Sequence, residues 1–260
     1  MVDFVATCGD SFACGSGLLD SECFEKSFGG LAANHLGVEQ RVIARSGCCN
    51  FTIWLQIKHV VNEWAQGKKP VVIISATNAA RTIWYKPGME PAGGPPSITH
   101  LNYENYAPYH EYTAEHFRRP IPVDTDNIMQ SETLSNIDVF LSASAGAKWH
   151  QFDNIEPTSR LKVLRNWVAD FFNFDIKQEY DNGILLQGHL LLKKHNIPHV
   201  FMAWQPDLEN LLPEHNYAAV DWGHWSRTYP DSKGTGHCDV RGHEEVFKII
   251  QPKIDAQLQC

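Results

Sequence analysis

Short apolar runs alternate with stretches of helical period along most of this chain of 260 residues. Phe4, Val5 and Ala6 open it, and residues 3–7 are expected to form a first strand. Cys23, Phe24, Phe28, Leu31, Ala32 and Leu36 then fall on one helical face across 21–36, ended by Gly37. A second short strand follows at 39–44. Residues 50–64 space Ile53, Trp54, Ile57, Val60, Val61 and Trp64 as an amphipathic helix closed by Gly67. Residues 70–76 are a continuous β-branched run, the mark of a strand buried on both faces of a parallel sheet.

The rhythm breaks from about 86 to 128, where proline, glycine and tyrosine replace any clear period. This stretch reads as a long irregular insertion. Helical patterns resume at about 129–147, at 157–172 (with Pro157 near its first turn) and at 176–195. Residues 199–204 are the next buried strand. A polar, aromatic loop leads to Asp231 and His237, and a last helix covers 240 to about 258. Alternating β and α with buried strands implies one α/β domain over 1–260, its parallel sheet covered on both sides.

Composition narrows the function. A net charge of −8 without clustered Lys and Arg counts against a nucleic-acid surface. No apolar run nears the roughly 20 residues of a membrane span, and no secretory signal pattern precedes the first strand. The seven cysteines include the adjacent Cys48 and Cys49 but no Cys-x-x-Cys pair, which suits free thiols in a reducing, cytoplasmic setting. Thirteen histidines raise the question of metal, yet none are paired as His-x-His, and His237 and His243 stand six apart. No metal or other cofactor is expected.

The candidate chemistry lies in four fragments. The first strand ends in Gly9-Asp10-Ser11, which sets a serine hydroxyl at the carboxyl edge of the sheet, where open α/β sheets bind ligands. Gly47 follows the second strand and can offer its backbone N–H in an unobstructed loop. Asn78 follows the third and carries a side-chain amide donor. His237 precedes the final helix and is placed to act as a general base. Each fragment has a plainer reading: a turn, a loop glycine, a helix cap, a loop histidine. His243 is expected to pack rather than react, and Asp10 to belong to the serine turn rather than to a metal.

Gly9-Asp10-Ser11-Phe12-x-x-Gly15, Ser46-Gly47-x-x-Asn50, Ser75-x-Thr77-Asn78 and His237-x-x-x-x-Gly242-His243 together resemble the four blocks of the SGNH (GDSL-type) hydrolase family. The resemblance implies a three-layer α/β/α sandwich with a mostly parallel sheet of flavodoxin-like topology. It implies Ser11 as nucleophile and His237 as base. The Ser11 and Gly47 N–H groups and the Asn78 amide would form the oxyanion hole. Thr77-Asn78-x-x-Arg81 is similar to variants in viral and marine sequences, a resemblance that would fit a virus-encoded chain.

One departure stands out. The family usually places an aspartate three residues before the histidine, where this chain has Gly234. Asp231, six residues before, is favoured as the third triad member. Asp239 is the rival, at a position suited to a helix cap. Trp84, Tyr85 and Arg81 are candidate substrate contacts, beside Tyr103, Tyr106, Tyr109 and Tyr112 in the insertion. Those rings form either an aromatic wall for a sugar or acyl group or a small core of their own. The expected activity is hydrolysis of a short acyl ester on a small molecule or glycan. The rival is a non-catalytic glycan-binding or virion protein on the same scaffold.

Overall fold

The computed structural model describes residues 2–18, 23–44, 49–77, 81–83, 138–140, 173–204, 206–232, 234 and 236–259. Its strands are β1 (Phe4–Cys8), β2 (Glu39–Val42), β3 (Pro70–Ser75), β4 (Arg81–Ile83), β5 (Asp138–Phe140), β6 (His199–Ala203) and β7 (Tyr217–Ala219). Its helices are α1 (Cys23–Lys26), α2 (Phe28–Leu36), α3 (Asn50–Ala65), α4 (Phe174–Lys194), α5 (Pro206–Leu211), α6 (Trp222–Thr228) and α7 (Val240–Leu258). Five strands form one parallel sheet in the order β2-β1-β3-β6-β7, and β4 pairs antiparallel with β5.

The strand interiors explain their apolar runs. Every residue of β1, β3 and β6 is buried, and successive side chains point to opposite faces. Phe4, Ala6, Val72, Ile74 and Phe201 join one core with Ile53 and Ile57 of α3 and Leu185 and Leu192 of α4. Val5, Val71, Ile73, Val200 and Met202 join a second core with Phe28 and Ala32 of α2 and Val246 and Ile250 of α7. Leaving β1, the chain passes through α2 to β2. Leaving β3, it returns through α4 on the other core to β6. The strand order therefore reverses between β1 and β3, and a crevice opens at their carboxyl ends at such a point.

Local signals account for most element ends. The helix expected at 21–36 divides at Ser27, whose hydroxyl accepts the Gly30 N–H and caps α2. Gly29 lets α2 lie close to the sheet: a Cβ there would meet Thr7 Cγ2 and Gln40 Nε2 well inside contact distance. Asn173 caps α4, and Asp239 caps α7 through the Arg241 and Gly242 N–H groups.

Two expectations need correcting. Residues 138–140, placed in a helix from 129 to 147, are strand β5; Val139 and Phe140 favour a pleated surface, and the segment pairs with Arg81–Ile83. The stretch read as a polar loop before Asp231 contains α5, β7 and α6. Asp221 caps α6, and Trp222 and Trp225 share one side of it. The insertion at 86–128 and the helix expected at 157–172 lie outside the described residues.

Candidate active site

Ser11 begins the turn that follows β1, only 4 % exposed. Asp10 shapes this turn, accepting the Phe12 N–H at Oδ1 (3.1 Å) and the Cys14 N–H at its carbonyl (3.0 Å). Gly9 has φ +149°, and a Cβ there would stand 2.8 Å from Ala13 Cβ, Ser75 Cβ and the Ser75 carbonyl oxygen. Only glycine lets the β1 end press this closely on the β3 end. Gln56 of α3, fully buried, accepts the Gly9 N–H (2.6 Å) and donates to the Gly9 carbonyl (3.2 Å).

His237 comes from the other end of the chain and arrives beside this turn. A Cβ on Gly17 would lie 2.7 Å from His237 Cβ, 3.0 Å from the Cys238 carbonyl oxygen and 3.2 Å from Asp231 Cβ. The Phe12 ring sits 4.8 Å from the imidazole, and its other neighbour is Trp222, stacked at 4.5 Å. Trp222 also donates its indole N–H to Ser75 Oγ at the end of β3 (2.9 Å). Phe12 and Trp222 thus tie the Ser11 turn, the end of β3 and the His237 loop into one contact.

The departure at Gly234 has a structural reading. Pro230 is bridged antiparallel to Cys238, and the Asp231 N–H donates to the His237 carbonyl (3.1 Å). Gly234 and Gly236 turn the loop at φ +67° and +85°. This hairpin sets Asp231, six residues before His237, directly opposite it, and its Oδ2 accepts the backbone N–H of His237 (3.0 Å). Asp239 is otherwise engaged. It caps α7 and takes both the Nε (2.9 Å) and Nη2 (2.7 Å) of Arg241, bonds that hold its carboxyl below the usual range despite some burial.

Thr77, just after β3, is gripped by Asn50 from the first turn of α3. Asn50 accepts the Thr77 N–H (2.9 Å) and donates to its carbonyl (2.7 Å) and to Asp181 Oδ2 (3.0 Å). Burial raises the Asp181 carboxyl, while the bonded Lys177 and Asn50 pull the other way. Gly47, Asn78, Trp84 and Tyr85 lie outside the described residues. Arg81 belongs to β4, and nothing further of its side chain is described. The structure thus packs the turn that carries Ser11, through Phe12 and Gly17, against the loop that carries Asp231 and His237.

His243 packs beneath the site. It is fully buried between Phe28 and Trp222, and its Nδ1 accepts the Phe28 N–H (3.3 Å). Burial, with His237 acting in the same direction, pushes its imidazole down to about 3, so it is neutral with its proton on Nε2. Gly242 is required here, because a Cβ would meet Cys238 Cβ at 2.5 Å and Sγ at 2.8 Å. The Cys238 thiol is pushed up to about 12 by burial and nearby Asp239 and Asp231, leaving it unreactive. Among the described residues no group of His, Cys, Asp or Glu is arranged to hold a metal, and no helix is long and apolar enough to cross a membrane.

A scan of protein-family models finds no match to the chain, nor does a search of curated proteins.

Sequence reasoning missed Gln56, gave Asn50 no role of its own within the glycine block, and missed Gly17 and Trp222. The first two had a readable signal: a carboxamide within the buried run Ile53–Ile57, and another at a helix start. Gly17 and Trp222 had none, since their partners are remote in sequence.

Proposed function

We propose that the chain is a serine esterase of the SGNH type, a three-layer α/β/α sandwich that cleaves short acyl esters. One observation carries the reading: the Ser11 turn at the carboxyl end of β1 packs, through Gly17 and Phe12, on the hairpin that sets Asp231 against His237. Serine is a weak nucleophile until a base takes its proton. In this reading His237 removes the Ser11 proton as the hydroxyl oxygen attacks the ester carbonyl. Asp231 holds the imidazole and stabilises the imidazolium that forms.

The tetrahedral oxyanion is met by preorganised donors, assigned to the Ser11 and Gly47 N–H groups and the Asn78 amide. His237 then hands its proton to the departing alcohol, leaving an acyl-Ser11 ester. Water, deprotonated by His237, attacks that ester and releases the carboxylic acid and free Ser11. No cofactor enters. The substrate is a small-molecule or glycan ester, with Trp84, Tyr85 and Arg81 as candidate contacts. A cytoplasmic location and a viral source remain part of the proposal.

Hydrolysis of p-nitrophenyl acetate tests it. The wild-type chain should turn over the ester, and Ser11→Ala should abolish turnover while keeping its thermal midpoint. Full activity in Ser11→Ala refutes the nucleophile, and an inert wild-type chain favours a glycan-binding or virion role on the same scaffold.

A further inference from the structure

α3 carries two buried carboxamides that do the same thing to two different loops. Gln56 spans the Gly9 backbone, accepting its N–H at 2.6 Å and donating to its carbonyl at 3.2 Å. Asn50 spans the Thr77 backbone in the same two-point manner, at 2.9 and 2.7 Å. Both side chains are fully buried. Each clamp fixes two successive peptide planes. The Gly9 clamp holds the planes on either side of Gly9, the second leading into Asp10, and the Thr77 clamp holds those on either side of Thr77, the second leading into Asn78.

These two loops flank the crevice where the strand order reverses. The β1–β3 ladder ends at Cys8 and Ile74, so the backbone beyond it must find other partners. A single hydrogen bond would satisfy one group and leave the peptide free to rotate. A bidentate carboxamide fixes both position and rotation. The clamps stand six residues apart on one helix, about 9 Å along its axis. Asn50 is itself steadied, because its amide also donates to the buried Asp181 (3.0 Å), which Lys177 of the same helix pairs.

We infer that Gln56 and Asn50 are positioning residues, and that α3 acts as a rigid spacer setting the Ser11 turn at a fixed distance from the loop that enters Asn78. This rests on the esterase reading, in which nucleophile and oxyanion donor must act on one carbonyl. Misplacement by about 1 Å costs on the order of 100-fold in rate.

The test follows acylation of Ser11 by a fluorophosphonate, measured per folded molecule beside the thermal midpoint. Gln56→Leu and Asn50→Leu should acylate roughly 10- to 100-fold more slowly. Turnover of p-nitrophenyl acetate should fall in kcat with KM little changed. Gln56→Glu supplies a readout that a purely structural role would not move. When protonated, its carboxyl accepts from the Gly9 N–H and donates to the Gly9 carbonyl, as Gln56 does. When ionised, it can only accept, and it repels that carbonyl. The ratio of the Gln56→Glu to the wild-type acylation rate should therefore fall as pH rises, and the glutamate variant decides the matter even where the leucine variants fail to fold. Folded leucine variants reacting within about twofold of wild type, or a flat Gln56→Glu ratio, would overturn the spacer alone. A wild-type chain that never acylates at Ser11 would sink the spacer and the esterase reading together.

Discussion

Gly17 is where the two halves of the proposed site touch, so Gly17→Ala probes their contact with a single methyl group. The new Cβ would stand 2.7 Å from His237 Cβ, 3.0 Å from the Cys238 carbonyl oxygen and 3.2 Å from Asp231 Cβ. Carbon atoms rest at about 3.5–4.0 Å, so the His237 hairpin must retreat by about 1 Å. The backbone adds strain, since φ at Gly17 is +95° and a side chain there costs on the order of 1–3 kcal/mol. Overpacking contributes a similar amount, about 1–3 kcal/mol. A thermal midpoint lowered by on the order of 10 °C is expected, with ester turnover down roughly 100-fold. Gly234→Ala is the control. It shares the positive φ (+67°), but no atom lies within 4 Å of its added Cβ, so it should show strain alone and keep its activity. Equal stability of the two variants, with turnover in Gly17→Ala unchanged, would refute the packing of His237 against the Ser11 turn.

Asp231→Asn keeps an acceptor for the backbone N–H of His237 but removes the charge; turnover should fall roughly 10²- to 10⁴-fold with little change in thermal midpoint. Asp239→Ala should do the reverse, costing about 1 kcal/mol at the α7 cap in a denaturant titration and sparing activity. His243→Phe strands the buried Phe28 N–H and should cost about 1–3 kcal/mol by the same titration. Acid should destabilise the fold through its buried histidines. Burial holds His199 at about 4, and its Nε2 meets His189 Nδ1 at 2.8 Å, itself lowered by burial. A histidine depressed in the folded state is stabilising above its unfolded value near 6.5, and that stability drains away as pH falls from about 6.5 to 4. For His199 the loss is about 3 kcal/mol, and His199→Gln should flatten this part of the stability-versus-pH curve measured by denaturant unfolding.

The strands were legible because burial on both faces writes itself as an unbroken apolar run, as in Val71–Ile74 and Val200–Ala203. The long helices α3, α4 and α7 were legible by their period. Short elements were not. β7 has three residues, too few for any period, and it gains its identity only by pairing with β6. Asp138–Phe140 becomes a strand through Arg81–Ile83, far away in sequence. The same distinction holds at the site. At the proposed site, Ser11, His237 and Asp231 were named from local motifs, whereas the contact of Asp231 with the His237 backbone depends on turns at Gly234 and Gly236. Gly17 and Trp222 matter only through neighbours that the fold supplies.

In the proposed mechanism Ser11 is a nucleophile activated by His237. Mass spectrometry of the intact chain after fluorophosphonate treatment, with the modified peptide sequenced, tests it most directly. One adduct on Ser11, lost in His237→Ala although the variant stays folded, is the predicted result. An adduct elsewhere, or undiminished labelling of Ser11 without the imidazole, would contradict it.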